Sequence, residues 1–160
     1  MNKNEFDSQS DRLMEKLQAV DREYEAYAKA KGMTYMSMTV LEALFDNRDT
    51  CTQKLICELT HYPKQSVNLI VKAFWESGYV ELKEFPSDRR NKRICFTEAG
   101  LCYAEEMLLP LWDADKITAE QMGEAQSEEL LRLTTLYERL LCENIRRVLP
   151  SEEWSKEVDK

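Results

Sequence analysis

The apolar residues keep helical spacing along nearly all of the 160-residue chain and leave it once, between Tyr79 and Thr97. Before that stretch, Leu13, Leu17, Val20, Tyr24 and Tyr27 recur at intervals of four and three, and after it Leu130, Leu133, Tyr137 and Leu140 do the same. Such intervals put apolar side chains on one stripe of a helix. Within the stretch, Tyr79–Phe85 and Arg93–Thr97 alternate and are rich in strand formers, as the two arms of a hairpin are. A chain of this pattern folds as helices carrying one small β-hairpin. Four glycines and four prolines are too few for a sandwich of short strands or a flexible linker.

The spacing predicts a helix over 7–31, stopped by Gly32, and a second helix capped by Ser37 with Met38, Leu41, Leu44 and Phe45 inward. Thr50 and Gln53 read as a capping box for a short helix ending near Leu59. Four residues later, Pro63 opens a longer helix to about Ser77, with Val67, Ile70, Val71 and Phe74 buried. The segment 86–92 reads as a polar loop at the hairpin tip, and Thr97 as the cap of the next helix. Pro110 should kink that helix. A break at Gly123–Ser127 precedes a last helix, ended by Pro150. A short and a longer helix joined by a tight turn, followed at once by a hairpin, make a winged helix-turn-helix.

The net charge of −8 disfavours polyanionic partners for the chain as a whole. Its distribution points the other way. Residues 61–95 hold seven cationic side chains against four acidic ones, while 96–160 are strongly acidic. No acidic residue falls between Pro63 and Trp75. On that helix the positions outside the buried stripe are Lys64, Gln65, Ser66, Asn68, Leu69 and Lys72. Gln and Asn bond adenine edges in the major groove, and Lys suits phosphate. At the hairpin tip, Arg89, Arg90, Lys92 and Arg93 cluster on a narrow projection of the kind that enters a minor groove. Asp88 is placed to hold a neighbouring arginine in direction.

The run Ser87-Asp88-Arg89-Arg90-Asn91-Lys92-Arg93-Ile94-Cys95-Phe96-Thr97-Glu98-Ala99-Gly100 resembles the wing signature of the MarR family: a D-x-R tip, a strand, then F-T-x-x-G entering a helix. Upstream, Ser66-Val67 through Glu76-Ser77-Gly78-Tyr79-Val80 resembles that family's recognition helix and its exit. The likeness extends over about residues 11–149. It implies a single domain over 1–160, mainly α with a hairpin wing, with 7–31 and 101–149 as dimerisation helices, 34–100 as the winged helix-turn-helix and 150–160 as a tail. It implies a homodimeric repressor on a palindromic double-stranded operator. Lys64, Gln65, Ser66, Asn68, Leu69 and Lys72 would then meet DNA from the recognition helix, and Asp88, Arg89, Arg90 and Lys92 from the wing, with Asp88 orienting Arg90. Leu69 stands where a polar residue is frequent and suits a thymine methyl. The family further implies a small aromatic or anionic effector that relieves binding, for which Tyr24, Met36, Met38, Met107 and Trp112 are the candidate cleft.

Other readings are narrower. His61 is the only histidine, and no Walker A, GxGxxG or HExxH motif is present, so no enzyme and no cofactor are expected. Five cysteines without CxxC spacing suggest reduced thiols and no metal site. Cys51, expected in a first helical turn where the dipole lowers a thiol pKa, and Cys57 are candidates for a thiol sensor. The acidic flanks fit a second possibility, a winged-helix protein-interaction module without DNA binding. No run of about 18 apolar residues and no apolar leader in Met1–Asp7 lead one to expect a cytoplasmic protein away from membranes.

Overall fold

The computed structural model describes residues 5–48, 50–85 and 88–148, and the side chains of 9–48, 50–84 and 92–148. Among them the order is α1 (Glu5–Ala30), α2 (Tyr35–Asp46), α3 (Gln53–Thr60), α4 (Lys64–Glu76), β1 (Val80–Phe85), β2 (Asp88–Phe96), α5 (Glu98–Met122) and α6 (Glu124–Val148). This is the mainly helical winged helix-turn-helix that the pattern predicts. The chain divides into two compact units, 1–111 and 112–160, with the boundary inside α5.

The first unit is built around α2. Met38, Val40, Leu41 and Leu44 are fully buried or nearly so, as are Ile56 of α3, Val67 and Val71 of α4, Ile94 of β2 and Leu108 of α5. Each helix of the helix-turn-helix therefore turns one apolar stripe to a shared core and leaves its other face to solvent. The caps differ from the sequence expectation. Thr34, not Ser37, caps α2: its Oγ1 accepts from the Ser37 N–H at 3.0 Å, and Ser37 sits inside the first turn. Thr52, not Thr50, caps α3, accepting from the Leu55 N–H at 3.1 Å. The shift has a cause. The Ile94 N–H donates to the Cys51 carbonyl at 2.9 Å and Thr52 bridges to Arg93, so the chain is still extended (φ −130°, ψ 160°) when it reaches Thr52. Extended backbone is what an N-cap needs.

His61 closes α3 in the left-handed region (φ 55°), with its N–H donating to the Cys57 carbonyl at 2.9 Å. Two residues on, Pro63 is the cap of α4. The turn between the two helices is tight because a single residue reverses the chain direction at once.

The wing is longer than expected. β1 and β2 pair antiparallel from Val80↔Phe96 to Glu84↔Lys92, and the register then jumps to Phe85↔Asp88. Asp88–Lys92, expected in a loop, lies in the strand, and Arg89–Asn91 are extra residues in the ladder, a bulge. The polar sequence still pairs because this end of the arm leaves the core: Val80 and Ile94 are buried, whereas Glu84 and Lys92 are exposed and of opposite charge. At the base, Phe96 meets Phe45 edge-on at 6.2 Å, and the Arg48 guanidinium lies 4.6 Å from the Phe45 ring centre.

Pro110 lies inside α5, which runs through it as one helix. A proline has no N–H for the carbonyl four residues back. Here that is Glu106, and its oxygen accepts from Lys31 Nζ at 3.5 Å, while the Met107 oxygen accepts from the Tyr27 hydroxyl at 2.9 Å. Lys31, just past the end of α1, thus serves the one carbonyl that the proline leaves without a helical donor, and Tyr27 ties the next one to α1.

In the second unit the break between α5 and α6 is Gly123 alone (φ 81°). Ser127, expected to cap the last helix, lies within it, its hydroxyl 3.4 Å from the Ala119 carbonyl. Along α6 no residue is buried, and Leu130, Leu131, Leu133, Leu136, Leu140 and Leu141 are all exposed.

Candidate nucleic-acid interface

The exposed face of α4 follows from its buried one. With Val67, Val71 and Phe74 inward, Lys64, Gln65, Asn68, Leu69 and Lys72 lie exposed, and Ser66 half-buried. Leu69 is 68% exposed, more than any large apolar residue of the described chain except Leu131 and Val148. The first turn holds no acidic residue, and Pro63 supplies no side-chain cap. A helix built for stability alone places acids there to complement the dipole. This one places Lys64 instead, so its free N–H groups and an ammonium add at one end, an arrangement suited to phosphate.

Lys72 is not a lone cation. Its Nζ is 3.5 Å from Glu76 on the following turn. Both side chains are exposed, so the pair is weak and gives way to a stronger anion. Asn68 is engaged as well: its Oδ1 accepts from Gln53 Nε2 of α3 at 3.1 Å. Sequence reading gave Gln53 a capping role and missed this bond, because a contact across fifteen residues leaves no local pattern.

On the wing, Lys92 is exposed beside its cross-strand partner Glu84. Lys83 faces Arg93 across the ladder, two like charges, and its bond to Glu81 at 2.5 Å holds its ammonium protonated to higher pH than usual. The backbone of Asp88, Arg89 and Arg90 belongs to β2, and their side chains lie outside the described residues.

The cysteines sort by burial. Cys51 lies ahead of the α3 cap and is wholly buried, and burial, with a smaller contribution from Cys95, pushes its thiol up to about 12. That reverses the expectation of a dipole-lowered thiol: desolvation opposes the thiolate more than the helix end favours it. Cys57 is partly exposed, and Cys102 and Cys142 are exposed.

Of the five candidate cleft residues, Met38 and Met107 are buried in the first unit. Tyr24 stacks on Tyr35 at 6.0 Å, and Met36 is 37% exposed. Trp112 falls in the second unit.

Residues 31–91 match the MarR family model. The chain carries a MarR-family region. That region begins at the end of α1 and closes in the wing. Solved MarR structures match well beyond it. A MarR family regulator from Neisseria meningitidis superposes with a TM-score of 0.72 at 22% identity, covering 87% of this chain and 97% of that one. MepR of S. aureus, in complex with DNA, gives 0.64 at 16% identity over 83% and 96%. CouR of Rhodococcus jostii RHA1, bound to p-coumaroyl-CoA, gives 0.63 at 22% over 79% and 90%. No curated protein sequence matches the chain. At these identities the solved structures establish a shared MarR fold.

Proposed function

We propose that the chain is a sequence-specific DNA-binding transcriptional regulator of MarR type, acting as a homodimeric repressor whose operator binding a small aromatic or anionic molecule relieves. The observation that carries the DNA reading is the face of α4: exposed, acid-free in its first turn, uncapped at its N-terminus, and followed directly by a hairpin with a cationic tip. In a chain of net charge −8, a run from Lys64 to Trp75 without an acid is under a specific demand. Lys64, Gln65, Ser66, Asn68, Leu69 and Lys72 enter the major groove in this reading. Asp88, Arg89, Arg90 and Lys92 serve the wing, with Arg90 in the minor groove. MepR in its DNA complex gives the fold a precedent for that partner.

The dimer reading rests on exposed apolar surface. Leu13, Leu17 and Val20 on α1, and six leucines along α6, exceed the scattered apolar residues normal on a monomer. A second copy covers them, and two recognition helices then stand about 34 Å apart, one turn of DNA. The effector reading rests on the partly exposed Tyr24 and Met36 of the candidate cleft, and on CouR, whose ligand carries an aromatic acyl group.

Gel shift against the DNA upstream of the chain's own operon tests the function. With about four phosphate contacts per protomer, log K falls against log salt with a slope near −7. Absence of a shift at ~50 mM salt with micromolar protein refutes the reading. Retention of a basic protein partner in place of DNA would favour the interaction-module alternative. Sedimentation equilibrium tests the dimer.

A further inference from the structure

We propose that Glu76 is a specificity-determining residue: its carboxylate accepts from the amino group of a cytosine in the major groove and opposes binding wherever none faces it. The inference rests on the reading of α4 as the recognition helix and goes further, to a base that the helix selects. Gln65, Leu69, Lys72 and Glu76 follow one another at intervals of four, three and four, all exposed, on the side of α4 away from Val67, Val71 and Phe74. Glu76 is the only acid of α4 and lies about 6 Å along the axis from Lys72, on the stripe that faces DNA in that reading.

Helix stability does not account for this glutamate. The C-terminal end of a helix favours cations, yet α4 ends on Glu76 with no basic residue in its last turn, while Lys64 holds the end that favours acids. Both ends are thus charged against the dipole. Lys72 gives little back. Its Nζ is 3.5 Å from Glu76 Oε1, both side chains are more than half exposed, and lysine four residues before glutamate is the weaker order of such a pair.

A carboxylate only accepts. In the groove, phosphates, guanine N7 and O6, and thymine O4 are acceptors as well and repel it. Adenine offers an amino group, but beside the N7 acceptor. Cytosine presents a donor with no acceptor of its own. When Lys72 leaves Glu76 for DNA, a cytosine amino group replaces the lost partner. Without that base the carboxylate stays unpaired in a negative field. One residue therefore rewards the operator and discourages other sequences.

Selection from randomised duplexes and anisotropy titration, both with the full-length protein, test this through Glu76→Ala and Glu76→Gln. The wild type should select cytosine at one position of each half-site, favoured about tenfold over other bases. Glu76→Ala should erase that preference and no other. Its affinity for a random-sequence duplex should rise severalfold, and its slope of log K against log salt should steepen by up to about 2 per dimer, one for each Lys72 set free. Glu76→Gln should gain the same random-sequence affinity and lose the advantage of cytosine over adenine, whose edge pairs with an amide. Thermal midpoints should match or exceed that of the wild type, since the charge removed opposes the dipole.

If Glu76→Ala leaves every base preference in place, if the preference it erases is for another base, if random-sequence affinity does not rise, or if both variants lower the thermal midpoint, Glu76 is only the surface partner of Lys72 and the proposal fails, with DNA recognition intact. If the wild type enriches no sequence at all, the regulator reading falls first and this one with it.

Discussion

Gly100, in the first turn of α5, lies so close to the backbone of Tyr79 that a Cβ added to it would overlap the Tyr79 carbonyl and come within 2.8 Å of its Cα. The approach is fixed from the other side by Thr97, whose hydroxyl donates to the Gly78 carbonyl at 2.7 Å and accepts from the Gly100 N–H at 3.0 Å. One turn further along α5, Tyr103 stacks on Tyr79 at 4.1 Å with the rings 9° apart. The F-T-x-x-G run is therefore a joint: threonine ties the end of the hairpin to the start, and glycine lets the next helix touch it. Gly100→Ala should cost at least about 3 kcal/mol, because the obstacle is backbone and cannot rotate away. Urea unfolding measures this. A loss under 1 kcal/mol would show that α5 shifts freely off Tyr79.

The end of α1 and Pro110 form a second joint. Proline inside a helix costs about 3 kcal/mol, in part through the carbonyl it leaves unpaired. Lys31 recovers some of that at the Glu106 oxygen, and Tyr27 adds a bond at the Met107 oxygen. Pro110→Ala should restore an intrahelical donor to the Glu106 carbonyl and raise stability by about 1–2 kcal/mol. Tyr27→Phe should lower it by about 1 kcal/mol. In the Pro110→Ala background Lys31→Met should be neutral, since its acceptor is then satisfied. Thermal unfolding of the three variants decides it; a destabilising Pro110→Ala would mean that the proline ring contributes packing that outweighs the missing bond.

Most of this architecture was legible in the sequence, for an identifiable reason. Val67, Val71 and Phe74 repeat at helical spacing, and the change to alternation after Gly78 announces the wing, because burial imposes a period on each element. Boundaries set by contacts distant in sequence were not legible. Thr52 replaced Thr50 as a cap because β2 holds the chain extended there, through the Ile94 N–H on the Cys51 carbonyl and the Thr52–Arg93 bridge, and nothing near residue 50 encodes that. The hairpin tip looked like a loop because its polar residues resemble turn formers, yet Glu84 and Lys92 pair. Gln53 and Asn68 were each visible, but their bond was not. In the candidate interface the residue types were readable and their mutual engagement was not.

Cys51 should be the slowest of the described thiols to react. Its thiol is pushed up to about 12 by burial, so at pH 8 almost none is thiolate, and no reagent reaches it without opening the fold. Cys102 and Cys142 are exposed and should be modified first. The sign of the linkage follows. Below its ordinary unfolded value the thiol is protonated in both states, and stability is independent of it. Between that value and about 12 the unfolded chain releases the proton and the native one keeps it, so stability falls as pH rises through this window. Mass spectrometry after timed alkylation checks the order. Labelling of Cys51 as fast as Cys102 would restore it as a sensor candidate.

Leu69 and Val71 are two positions apart on α4 and should respond oppositely. Val71 is 1% exposed and Leu69 is 68% exposed. Val71→Ala removes two buried methyl groups and leaves a cavity, which should lower stability by about 2 kcal/mol. Leu69→Ala removes no core contact and should change stability by less than 0.5 kcal/mol. It does shrink the exposed face of α4, where a leucine suits a thymine methyl. Operator affinity should therefore fall severalfold for Leu69→Ala, and most for duplexes with thymine at one fixed position; uracil there should remove the advantage of leucine, because it lacks the methyl group. For Val71→Ala the affinity of the folded fraction should stay near that of the wild type. Anisotropy titrations with thymine and uracil duplexes, paired with denaturation curves, separate the two. Equal loss of stability at both positions would place Leu69 in the core, and an affinity indifferent to the thymine methyl would leave its exposure without a DNA partner.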